Sequence, residues 1–176
     1  MKIFKKNPFR IYFTIVIAVF IWGLLLWQHS NGGVPSHHLL HRSDLPAISN
    51  WWGGILLPVL SWLLIGMTHK REEGSYPLSV KLGFIGGLLY GIVLSVSFVN
   101  GLEQVASLMA PSLLVIALFL PIYHSEYYLG FVIGMSTTFG VVLPIGFALV
   151  VVILAYIIYK FIRPIPSYLV EKFRGA

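Results

Sequence analysis

The chain has 176 residues, of which 57% are hydrophobic and only 10% charged, with a mean hydropathy of +0.86. Soluble domains carry about 25% charged residues, and a fold this small has no interior large enough for so much apolar surface, so a soluble globular class is excluded. The apolar runs are continuous instead of alternating in short strands, which predicts an all-α, polytopic integral membrane protein of one domain.

The sequence has no cysteine, which removes disulfides, thiolate metal sites and cysteine nucleophiles. Its formal net charge is +6, but the distribution says more than the total. The basic residues cluster as Lys2, Lys5, Lys6 and Arg10, then Lys70, Arg71 and Lys81, then Lys160, Arg163, Lys172 and Arg174, and only Arg42 lies elsewhere. Such spacing follows the positive-inside rule and points to anionic lipid head groups as partners, not nucleic acid.

Taken in chain order, the first predicted helix covers about 11–28. Its basic lead and apolar run resemble the start of a secretory signal, but Leu24-Leu25-Leu26-Trp27-Gln28 offers no small-x-small cleavage site, so an uncleaved helix is expected. An outer loop, 29–49, leads to a second helix at about 50–68, with Trp27, Trp51 and Trp52 forming an interfacial belt. A cytoplasmic loop, 69–77, precedes a third helix, 78–99. There Ser79, Gly83, Gly87, Gly91 and Ser95 recur every fourth residue. In lipid, such small stripes let helix backbones approach closely, within one chain or across a homo-oligomer seam. A shorter stripe follows at Gly130, Gly134 and Thr138.

A fourth helix is predicted at 105–123, interrupted by Pro111 and Pro121. The apolar run from Leu129 to Ile162 would, as one straight helix, span roughly 51 Å, against a bilayer core of about 30 Å. Dividing it near Met135–Gly140 gives helices at 128–141 and 143–162, six crossings in all. Both termini are then cytoplasmic, including the tail 163–176. Four full spans plus a re-entrant segment obey the same charge rule. The expected location is the cell membrane, of bacterial inner-membrane type.

Three polar constellations could carry chemistry. In P-S-H-H-L-L-H-R-S-D-L-P, Pro35 to Pro46, a short helix capped by Ser36 would set His37 and His41 four residues apart, with His38 and Asp44 on the same side. Imidazoles and a carboxylate suit zinc or another divalent metal. The same imidazoles could titrate on external acidification, and a plain interfacial loop needs neither role. Glu103, beside Asn100 and Gln104, is a candidate ligand or general base on the same outer side. His124 and Glu126, with Ser125, Tyr127 and Tyr128, form the third group, on either side according to the number of crossings. Ser49, Asn50 and Ser136-Thr137-Thr138 are polar groups at membrane depth that must find hydrogen-bond partners.

No G-x-S-x-G, P-loop, H-E-x-x-H or dinucleotide fingerprint occurs. The first functional expectation is transport or permeation of a small solute or ion, with proton linkage through Glu103 or the histidines. It rests on Gly and Pro breaks, scarce membrane charges and an echo of Gly54–Val59 in Gly140–Ile145. Two other classes stay open: a membrane-embedded metal-dependent hydrolase or lipid-modifying enzyme, and a non-catalytic subunit or pH sensor of a larger membrane complex.

Overall fold

The computed structural model describes residues 7–38, 44 and 47–165. Among these residues the chain forms six α-helices and one small hairpin. Helix α1 (Pro8–Ser30) starts with proline in its first turn and is capped by Asn7, whose side chain accepts from the Arg10 backbone N–H. Strands β1 (Ser36–His38) and β2 (Ala47–Ser49) pair antiparallel, with His37 opposite Ile48. The expected capped helix at Ser36 is therefore replaced by extended chain. A 3-10 turn, Asn50–Trp52, then feeds α2 (Gly53–Arg71). Next come α3 (Leu78–Val99), α4 (Glu103–Phe119), α5 (Ser125–Phe139) and α6 (Val142–Ile157), the last running into a π turn, Ile158–Ile162.

Among the described residues four helical stretches are long and apolar enough to cross a membrane: Pro8–Ser30, Asn50–Arg71, Leu78–Val99 and Val142–Ile162. Helices α4 and α5 are shorter, at 17 and 15 residues. Prolines act at the boundaries more than in the interiors. Pro121 lies in the link between α4 and α5, while α2 and α4 continue through Pro58 and Pro111.

Helix α5 is the axis of the bundle. Nine of its fifteen residues are buried, among them Leu129 and Val132, which are fully enclosed. It packs parallel to α3 through small residues on both sides. A Cβ added at Gly87 would fall on the Tyr127 carbonyl, one at Gly91 on the Phe131 carbonyl, and one at Gly130 on the Phe84 carbonyl. Ser95 completes the seam, its hydroxyl 3.4 Å from the Gly134 carbonyl oxygen. Thus Gly83, Gly87, Gly91 and Ser95 face α5 of the same chain, whereas Ser79 is exposed. Against α2, α5 runs antiparallel: Ser125 meets Thr68 at one end and Gly140 meets Asn50 at the other.

The divide within the long apolar run falls at Gly140, in the left-handed region with φ of 67°. A side chain there would be strained by its backbone and would also strike the Asn50 amide. That doubly enforced glycine turns the chain from α5 into α6.

Candidate functional site: a buried carboxylate at the basic end

The antiparallel contact of α2 with α5 brings the C-terminus of α2 to the N-terminus of α5. There Glu126 is only 5% exposed. Its Oε1 accepts from Arg71 Nη2 at 2.8 Å, and His124 Nδ1 lies 3.6 Å from the same oxygen. Arg71 is shared, since its Nε also donates to Glu72 at 2.8 Å. The neighbouring hydroxyls of Thr68 and Ser125 bond each other at 2.8 Å, and Thr68 donates back to the Leu64 carbonyl. Glu126 Oε2 is buried and has no hydrogen-bond partner in the protein.

This layout follows from local sequence. Residues 121–124 form a tight turn closed by the His124 N–H on the Pro121 carbonyl, and His124 takes the N-cap position in a β conformation, so α5 begins with Ser125 and Glu126 in its first turn. A carboxylate there faces the positive end of the helix dipole. Gly83 on α3 leaves room for the Glu126 stem: an added Cβ would lie 3.0 Å from its Cγ. Aromatic contacts extend the group to α6. The Tyr123 ring sits edge-on to His124 at 4.6 Å and 5.6 Å from Tyr159, over which Arg163 stacks at 4.4 Å.

Beside Glu126 a cleft of about 570 Å³ opens between α1, α2, α3 and α5, with Phe13, Thr68, Lys81 and Phe84 in its walls. A second, almost wholly apolar cavity of about 170 Å³ lies between α3, α4, α5 and α6, around Tyr90, Tyr127 and Phe131. Helix α1, which lends Phe9 and Phe13 to the first cleft, is fastened to α2. Arg10 Nε donates to the Trp62 carbonyl at 2.7 Å, while its guanidinium lies 3.8 Å from the indole centroid, over the bare backbone of Gly66.

The other candidates lie apart from this cluster. His37 sits half-buried in β1, Asp44 is exposed, and His41 lies outside the described residues. Glu103 is the exposed first residue of α4, at the end of α3 opposite Lys81. Among the described residues no three histidines or carboxylates gather as a metal-ligand group. Glu126 meets both His124 and Arg71, so the group occupies the opposite end of the bundle from the β1–β2 hairpin and Glu103.

In the sequence Arg71 is one of three basic residues that end α2, and its partner Glu126, 55 residues further on, leaves no local signal. Comparison of the chain with protein-family models, with curated proteins and with solved structures finds no match.

Proposed function

We propose that the chain is a six-crossing protein of the cell membrane, with both ends cytoplasmic, that moves a small solute or ion and uses Glu126 as its coupling carboxylate. The topology reading draws on the end-to-end order of the helices. Arg71, Lys81 and Glu126 share one end, which the charge rule assigns to the cytoplasm, so α4 and α5 each traverse the bundle. At about 22 Å for α5, a crossing this short fits a helix wrapped by protein, not by lipid.

One observation carries the transport reading: a carboxylate buried at the edge of a membrane bundle, with one oxygen unpartnered, beside an open cleft. Ionisable groups in such places are costly and are retained for ion or solute pathways. Arg71 holds the charge when the cleft is empty, and a solute or proton arriving at Oε2 competes with that ion pair. Two or more copies would supply the bulk that alternating access needs. The metal-enzyme reading has less behind it, because among the described residues no three histidines or carboxylates come together.

Proteoliposomes loaded with a pH-sensitive dye, challenged with a panel of small amines, carboxylates and metal ions, test this. Solute-driven pH change is expected with the wild type and at least about tenfold slower with Glu126→Gln, as for loss of a general acid or base. Identical traces from empty and protein-bearing vesicles across the panel would remove the transport reading.

A further inference from the structure

The cleft beside Glu126 is graded along the bundle. At the basic end its walls carry Lys81 and Glu126, one on α3 and one on α5, beside Thr68 of α2 and the rings of Phe9 and Tyr76. One helical turn inward the same helices present Ile85, Leu129 and Ile65, and Phe13 of α1 and Phe84 of α3 close the apolar part. Two helices, α3 and α5, therefore share one layout, charge at the end and hydrocarbon a turn deeper, about 5.4 Å away, and α2 follows it with a hydroxyl in place of the charge. That layout matches an amphiphile standing upright in a leaflet.

The charges specify the head group. Glu126 Oε2 is an acceptor in a buried site that receives no hydrogen bond from the protein: Arg71 directs Nη2 to Oε1 and Nε to Glu72, and the Thr68 hydroxyl donates to the Leu64 carbonyl. A buried ionised acceptor without a donor is costly, so the site calls for an N–H or O–H from outside. A simple cation would supply it but would also meet Lys81 and Arg71. A head group bearing both an ammonium and a phosphate satisfies Glu126 and Lys81 together.

We infer that the Glu126–Lys81 cleft binds a membrane phospholipid whose head group carries a primary ammonium, the ammonium donating to Glu126 and the phosphate facing Lys81. The inference rests on the topology proposed above, which sets this end at the head-group level of the inner leaflet, and not on transport. It excludes close mimics by chemistry: a choline head has the same charges but no N–H, and a glycerol head has the phosphate but no cation.

The test places the protein in bilayers of equal parts phosphatidylethanolamine, phosphatidylcholine and phosphatidylglycerol, extracts it gently, and weighs the retained lipids by native mass spectrometry. The wild type should keep the ethanolamine lipid about tenfold over the choline lipid, the value of one charge-assisted hydrogen bond. Glu126→Gln should bring that ratio to within about twofold. Lys81→Gln, at an exposed position, should lower retention of all three lipids while preserving the ethanolamine preference. Equal retention of ethanolamine and choline lipids by the wild type overturns the inference, and needs no variant to fold. So does a preference for the glycerol lipid. Ethanolamine selectivity in a protein that passes no solute supports this site and overturns the permease reading instead. Flux without selectivity does the reverse.

Discussion

Helices α4 and α5 are both short, both apolar and adjacent in sequence, yet they occupy opposite environments. Helix α5 buries nine residues; α4 buries only Leu113 and Ala117 and exposes Leu108 and Phe119 at 70% and 72%. Hydrophobicity does not separate them, and in lipid it could not, since tails are as apolar as leucine. What separates them is the size of the contact residues. Gly130 and Gly134 let α5 touch α3 backbone to backbone, whereas α4 meets α3 through a tyrosine: Tyr90 donates to the Met109 carbonyl and lies 2.7 Å from the Ser112 hydroxyl. The helix that meets α3 through glycine takes the centre, and the one that meets it through a tyrosine takes the rim.

The hardest way to break this contrast is Gly130→Leu. The new side chain would meet the Phe84 carbonyl and the Leu88 amide, both main-chain atoms that cannot rotate away. Destabilisation above about 4 kcal/mol is expected, read as loss of the folded fraction in a denaturant titration in detergent; a variant that unfolds like the wild type would show that the seam is not close-packed. Next comes Arg71→Ala, which strands Glu126 in its buried site. Because Arg71 is itself 30% exposed, about 2–3 kcal/mol is expected, below the full penalty for breaking a buried pair. Adding Glu126→Leu should recover most of the loss, and failure to recover would mean that Arg71 acts through other contacts.

Smaller effects sharpen the rim side of the comparison. Tyr90→Phe removes the hydroxyl that ties α3 to α4, while Ser112 keeps its own bond to the Met109 carbonyl at 2.8 Å. About 1 kcal/mol is expected, seen as a modest drop in unfolding midpoint. Leu108→Ala, on the lipid-facing side of α4, should change stability by less than about 0.5 kcal/mol. An effect as large as that of Tyr90→Phe would reveal a partner covering α4.

The helical class and the four long apolar stretches were legible from composition and run length, because hydrocarbon thickness imposes both. The small-residue recurrence on α3 was also visible. Its partner was not, since a stripe names a face that can be approached, not what approaches it. The sequence around Ser36–His38 reads as the capped start of a short helix; the antiparallel pairing with Ala47–Ser49 makes it extended instead, and pairing is non-local. Likewise His124 and Glu126 were visible as a polar break. Their meeting with Arg71 depends on α5 running back along α2, across more than fifty residues of chain.

The parallel contact between α3 and α5 constrains how the molecule is made. Side-by-side helices of like direction cannot be joined by a tight turn, so α4 must be laid down before α5 can reach its place. Throughout that interval of synthesis the glycine face of α3 has no occupant from its own chain. A chain stalled after Phe119 would offer that face to another stalled copy, and the ribosome's pace through α4 sets how long the opening lasts.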